Sequence, residues 1–166
     1  MSNKRLIVTP GRCIGCRSCE LACSFAHAKK PGEPAISRIK TYMYSDELSL
    51  VVVCLQCDDA ACMKVCPSGA LTRNERTGAV DWDDEKCIHC GMCQTACPFG
   101  NITIEPHTLD VLKCDLCKGD PVCAKFCPTK ALEYAKEPSP ELAPEEKKRA
   151  IPPLPWMIAA EISMKK

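Results

Sequence analysis

Short apolar runs broken by turn residues, rather than long amphipathic stretches, pattern this 166-residue chain. Residues 5–9 (RLIVT) read as a strand stopped by Pro10 and Gly11. Residues 33–53 read as a hairpin, with strand formers over 36–44, a turn at 45–47 and a return strand over 48–53. A second hairpin pairs 70–73 with 79–82 around a turn in which Gly78 suits a positive φ. Residues 101–104 and 108–112 form a shorter pair around Pro106, and 131–135 a last strand. One helix is expected over 19–27, ended by the turn at 29–32. From Pro138 the texture changes. Pro138, Pro140, Pro144, Pro152, Pro153 and Pro155 make an extended connector. It carries an apolar helical segment, 156–164, too short to span a bilayer. That segment packs on its own body or docks on a partner.

Between these elements the 16 cysteines fall into four quartets. Cys13, Cys16, Cys19 and Cys23 are spaced C-x2-C-x2-C-x3-C, followed by Ser24. Cys54, Cys57, Cys62 and Cys66 are spaced C-x2-C-x4-C-x3-C and followed by Pro67. Cys87, Cys90, Cys93 and Cys97, with Pro98, give C-x2-C-x2-C-x3-C-P. Cys114, Cys117, Cys123 and Cys127, with Pro128, give C-x2-C-x5-C-x3-C-P. The third quartet is the bacterial-type iron–sulfur run, in which three close cysteines hold one cluster and the fourth holds another. Zinc is the competing reading, but zinc ribbons use two C-x2-C knuckles across a longer spacer, not a repeated terminal C-x3-C.

Disulfides are the other reading of so much cysteine, and they belong to secreted proteins. The first ten residues hold only three consecutive apolar positions and no twin arginine, so a reducing cytoplasm is expected. No run of 18 apolar residues predicts a membrane span. The apolar fraction of 46% counts cysteine, and only 5% is aromatic. That is thin for a conventional core, so cluster ligation is expected to supply folding energy. The formal charge of +1 falls to roughly −7 once the thiolates and four oxidised cores are counted, which argues against nucleic acid. A C-x3-C-x2-C arrangement is absent, so no substrate chemistry at an open iron and no catalytic residue are expected.

Spacings of 2-2-3, 2-4-3, 2-2-3 and 2-5-3 over residues 5–136 resemble the four-cluster ferredoxin subunits of the dimethyl sulfoxide reductase B type. That family includes electron-transfer subunits of formate dehydrogenases, hydrogenases, carbon monoxide dehydrogenases and tungsten aldehyde oxidoreductases. The resemblance implies an α+β fold of two tandem bacterial-ferredoxin-like lobes, with short hairpins and helices around four [4Fe–4S] clusters, plus the extended C-terminal tail. The body would span 1–137, with lobe one from 1–35 and 106–137 and lobe two from 36–105. The arm and docking segment would occupy 138–166. It also implies exchanged ligands. Cys13, Cys16, Cys19 and Cys127 would hold one cluster, and Cys114, Cys117, Cys123 and Cys23 its neighbour. Cys54, Cys57, Cys62 and Cys97 would hold the third, and Cys87, Cys90, Cys93 and Cys66 the last.

Around the ligands, Arg12, Arg17, Lys86, Lys113 and Lys118 either favour the more negative reduced state or are ordinary solvated charges. Ile14, Ile88 and Leu116 are expected to shield clusters from water. His89 donates to a cluster, couples a proton, or faces solvent, while His27 and His107 show no partner pattern. The function expected is an electron-transfer subunit between a catalytic oxidoreductase subunit, first a tungsten pterin aldehyde oxidoreductase, and a second redox partner (a flavoprotein or ferredoxin). A free polyferredoxin carrier, or a subunit of carbon monoxide dehydrogenase, formate dehydrogenase or hydrogenase, is the alternative, and self-association into a longer wire, or a zinc-binding or sensor module, lies further off.

Overall fold

The first and last strands of the body pair with each other, and that pairing ties the two ends of the cysteine array together. The computed structural model describes residues 4–45 and 48–136. β1 (Arg5–Val8) runs antiparallel to β8 (Leu132–Ala135), with Leu6 opposite Tyr134 and Val8 opposite Leu132. The Thr9 amide extends the ladder by donating to the Ala131 carbonyl at 2.8 Å.

The remaining strands form three more two-stranded antiparallel sheets. β2 (Lys40–Ser45) pairs with β3 (Leu48–Val52), with an irregularity between Met43 and Ser45. β4 (Leu71–Arg73) pairs with β5 (Val80–Trp82), and β6 (Thr103–Ile104) with β7 (Val111–Leu112). Gly78, in the β4–β5 turn, adopts φ 76° as its composition predicts. Among the described residues four short α-helices intervene: α1 (Ser18–Ala26), α2 (Ala61–Lys64), α3 (Met92–Ala96) and α4 (Val122–Lys125). This is a small α+β architecture of the ferredoxin kind, with few helices and short strand pairs. Among the described residues no helix is long and apolar enough to cross a membrane.

Two elements start later than the apolar pattern predicts, and hydrogen bonding explains both. β2 begins at Lys40 because the preceding amides have other partners. Ala35 donates to the Ser24 carbonyl, Arg38 to the Cys23 sulfur and Ile39 to the Ser37 hydroxyl. β7 is only two residues long because the Glu105 carboxylate caps the turn, accepting from the amides of His107 and Thr108. The arm and apolar segment expected at 138–166 lie outside the described residues, as do Asp46 and Glu47 of the first hairpin turn.

Buried side chains gather in two main clusters. One joins Leu6, Val8, Ile39, Val51, Val53, Leu116 and Leu132 with Cys19, Cys23, Cys114 and Cys123. The other joins Ala60, Leu71, Val80, Ile102 and Val111 with Cys93. The apolar residues thus shell the cysteines rather than forming a core apart from them. Leu132 is 1% exposed on β8, so Leu132→Ala removes packing at the chain closure. We expect a loss of about 2–5 kcal/mol in denaturant unfolding of the anaerobic protein, and a loss under 1 kcal/mol would contradict this account.

Candidate metal centres

In every quartet a short helix carries the third cysteine, and the fourth lies at or just beyond that helix. Cys19 and Cys23 are both within α1. Cys62, Cys93 and Cys123 sit on α2, α3 and α4, with Cys66, Cys97 and Cys127 following the helix ends. A C-x3-C spacing on a helix forces this, since one turn separates the two thiols.

The loops holding the first two cysteines coil with left-handed backbone. Arg17, Gln56, His89, Leu116, Cys117 and Lys118 all have φ between 46° and 58°. Residues with side chains adopt this region only at a cost of about 1–2 kcal/mol each, and such strain gathers where a ligand site over-determines the chain. Gly15 (φ 67°) has a second reason to lack a side chain: a Cβ there would stand 2.8 Å from the Ser49 hydroxyl. Backbone amides also turn toward sulfur. Arg38 donates to Cys23, His89 to Cys87 and Leu132 to Cys127, each at 3.4 Å.

The structure brings the cysteines together across motifs. Cys54, Cys57, Cys62 and Cys97 line one cavity. Cys23, Cys114, Cys117 and Cys123 line a second. Cys66, Cys87, Cys90 and Cys93 line a third. Cys13, Cys16, Cys19 and Cys127 meet by charge: Cys127 raises the pKa of both Cys13 and Cys19, after the larger effect of burial.

As bare thiols these groups are badly placed. Burial pushes Cys123 up to about 12, with Cys23, Cys117 and Cys19 adding to the effect. Burial likewise raises Cys114, Cys62, Cys57 and Cys93. A cationic metal core reverses this logic, because a coordinated thiol is deprotonated outright. Of three buried side-chain polar atoms without a partner among the described residues, two line these cavities, the third being the Thr9 hydroxyl. The Trp82 indole Nε1 and the Arg38 Nε are buried without a hydrogen-bond partner. Trp82 lines the third cavity and Arg38 the second. A buried N–H without an acceptor calls for an explanation, and a cluster held by the cysteines of the same cavity would supply acceptor sulfur. Donor set, strained loops and orphaned N–H groups all fit iron–sulfur clusters.

Three side chains that sequence reasoning left unassigned organise the second cavity. The Asp115 carboxylate accepts from the Cys117 amide at 3.0 Å, pairs with Arg38 Nη1 at 3.0 Å and with His27 Nε2 at 3.2 Å. Burial alone would raise Asp115, but the His27 hydrogen bond and Arg38 charge hold it well below the usual carboxylate range. His27, expected to lack a partner, is raised to about 9, chiefly by Asp115 and then by Cys23. The signal in the sequence was Asp115 between Cys114 and Cys117, but nothing local reveals that His27 and Arg38 fold against it.

Other expectations divide. Leu116 is fully buried, but Ile14 and Ile88, expected to shield clusters, are 65% and 62% exposed beside the exposed Cys16 and Cys90. Arg17, Lys86 and Lys118 are exposed and Arg12 half-buried, whereas Lys113 is buried. His89 is exposed, with Nδ1 3.1 Å from the Leu109 carbonyl, and His107 is exposed.

The four groups also have an order. Cys13, Cys127 and Cys54 pack against the buried cluster of Cys19, Cys23, Cys114 and Cys123, and Cys62, Cys66, Cys87 and Cys97 pack against the cluster that holds Cys93. The group of Cys13 therefore neighbours that of Cys114, which neighbours that of Cys54, which neighbours that of Cys87. Four-thiol sites lined up in a small α+β body define an iron–sulfur electron-transfer protein.

The comparisons specify the class. The 4Fe-4S dicluster domain family matches residues 47–137, and a 4Fe-4S binding domain matches 10–26. The polyferredoxin-like subunit of the aliphatic sulfonate oxidoreductase of Pyrococcus furiosus is 40% identical over 122 residues, covering 74% of this chain and 70% of the relative. Electron transport protein HydN of Escherichia coli is 33% identical over 171 residues, covering 89% of this chain and 96% of the relative. The probable anaerobic dimethyl sulfoxide reductase chain YnfG of Escherichia coli is 36% identical over 146 residues, covering 76% and 70%. The chain belongs to the 4Fe-4S ferredoxin family of electron-transfer subunits, and it carries multiple [4Fe–4S] clusters.

Asp115 links motif four to the end of α1, so Asp115→Asn leaves Arg38 and His27 without their anion. Breaking a half-buried network of this kind is expected to cost about 1–3 kcal/mol. Urea unfolding of the anaerobic protein reads the loss, and an unchanged midpoint would remove Asp115 from the account.

Proposed function

We propose that this chain relays electrons through four [4Fe–4S] clusters between a catalytic oxidoreductase subunit and a second redox partner. The observation that carries this reading is the row of four cysteine groups, with exposed Cys16 at one end and exposed Cys90 at the other. When bound, a cluster of this kind stores and releases single electrons at a potential set by its hydrogen bonds, nearby charge and exposure. The ligand sets are Cys13, Cys16, Cys19 and Cys127; Cys23, Cys114, Cys117 and Cys123; Cys54, Cys57, Cys62 and Cys97; and Cys66, Cys87, Cys90 and Cys93. The first two sets belong to one ferredoxin-like lobe, residues 1–35 and 106–137, and the last two to the other, residues 36–105. Hairpin β2–β3 and the residues flanking it pack Val51, Ile39 and Val53 across onto the first lobe's core. The chain's own residues orient sulfur, leaving one cysteine exposed in each outer group and none exposed in the two middle groups.

The relatives named as subunits of sulfonate and dimethyl sulfoxide enzymes support a fixed catalytic partner. A tungsten pterin aldehyde oxidoreductase in the cytoplasm is our first candidate, and a flavoprotein or ferredoxin the second partner. The assembly purified anaerobically from its own host through a tag on this chain is expected to hold about 16 iron per chain. Co-purifying tungsten supports the first candidate, and molybdenum or nickel redirects it. Iron alone favours a free carrier, while zinc without iron overturns the redox reading.

The Trp82 indole gives a sharper check on the last ligand set. Hydrogen bonds to cluster sulfur raise the potential, so Trp82→Phe is expected to move one of four transitions to a more negative value at unchanged iron content. Four unmoved transitions in an electrochemical titration would detach Trp82 from that site.

A further inference from the structure

Lys113 follows β7, directly before Cys114, and only 4% of it is exposed. Its ammonium donates to the Gln56 side-chain oxygen at 3.0 Å, the Val80 carbonyl at 3.0 Å and the Cys114 carbonyl at 3.2 Å. Gln56 braces this arrangement, accepting from the Val80 amide at 2.9 Å and donating to the Cys114 carbonyl at 2.7 Å. Every acceptor is neutral. Among the described residues no carboxylate pairs with Lys113, although buried lysine is rarely found without a counter-charge.

The anions within its reach are thiolates. Lys113 lines the cavity of Cys54, Cys57, Cys62 and Cys97. On the other side its ammonium bonds the carbonyl of Cys114, the first cysteine of the neighbouring site, at 3.2 Å. It therefore stands where the two middle groups of the row meet. Arg17, Lys86 and Lys118, also beside ligand cysteines, are exposed, where solvent screens their charge.

We propose that Lys113 is the fixed counter-charge of the two middle sites and raises their affinity for an electron, most strongly at the Cys54, Cys57, Cys62 and Cys97 site. The proposal rests on the four-cluster reading above. Each transfer adds one electron to a middle site from a neighbouring site and removes one when it moves on. No bond forms or breaks. The added negative charge is balanced by an ammonium already in place and itself only 4% exposed, where solvent screens it little. Lys113 is thus a positioning residue for electrons at the midpoint of the row, and Gln56 holds it there.

The test is an electron-resonance-monitored redox titration of the full chain, prepared anaerobically, alongside iron analysis. Lys113→Met should move one or two of the four transitions to more negative potential, at wild-type iron content and with the other transitions unmoved. Lys113→Arg should return them toward wild type. Gln56→Glu keeps the lysine but gives it a carboxylate, and should reproduce the negative shift. If Lys113→Met fails to retain iron, Gln56→Glu decides: shifted middle transitions support the proposal and four unmoved ones overturn it. Full iron with four unmoved transitions in Lys113→Met, an equal shift of all four, or Lys113→Arg behaving as Lys113→Met would each overturn it too. Wild-type protein with far fewer than about 16 iron would instead remove the four-cluster reading, and that failure is visible before any variant is made.

Discussion

Buried thiols crowded against one another are the constraint on which this molecule depends. Cys114 and Cys123 are held in apolar surroundings, and each thiolate raises the cost of ionising its neighbours. Nothing in the polypeptide alone rewards that arrangement. The apolar shell is modest, with most large buried side chains drawn from strands of two to six residues. Two-stranded sheets of this length are marginal by themselves. Metal ligation turns the liability into the organising force, because binding free energy at sites absent from the unfolded chain is folding free energy. The left-handed loops are sustained for the same reason, since their strain is offset only when the sulfurs they present are bound.

The chain closure shows how the array constrains topology. If the fourth cysteine of motif four is to join the first three of motif one, residues over a hundred positions apart must meet. The β1–β8 ladder and the α1–α4 packing do this, bringing Cys127 close enough to act on Cys13 and Cys19. Asp115, His27 and Arg38 fasten the same seam with charge. An apolar interface alone would leave this seam with little area, and a partly buried ion network fixes register where area is short.

Local features of the fold were legible because cysteine spacing and turn chemistry are local. Helix α1, both strands of the β4–β5 hairpin and the positive φ of Gly78 lie within a residue of where the pattern puts them. Iron–sulfur chemistry was legible too, since a repeated terminal C-x3-C is a statement about ligands. Nonlocal partners were not. Ile36 looks like a strand residue, but the amides just beyond it are claimed by Cys23 and by the Ser37 hydroxyl. Ile14 and Ile88 look like shielding residues in sequence, yet loops this short leave them outside. Of five basic residues beside ligands, only folding distinguishes Lys113, because burial depends on Gln56 and Val80, 57 and 33 positions away.

The unequal spacings follow from these different surroundings. Motifs one and three share the tight 2-2-3 spacing, and in both the second cysteine, Cys16 or Cys90, is exposed. Motifs two and four insert two or three more residues before the third cysteine, and their second cysteines, Cys57 and Cys117, are partly covered. The inserted residues lie between the second and third cysteines, at 58–61 and 118–122. The short motifs hold the exposed second cysteines at the ends of the row, and the long motifs hold no exposed cysteine. Water at the ends screens the charge of an arriving electron, and a partner's surface can replace that water. In the middle no cysteine is exposed, so less water reaches an added charge and an opposite charge built into the fold lowers its cost. The buried ammonium of Lys113 lies at the one junction in the row where both neighbouring sites are of the covered kind.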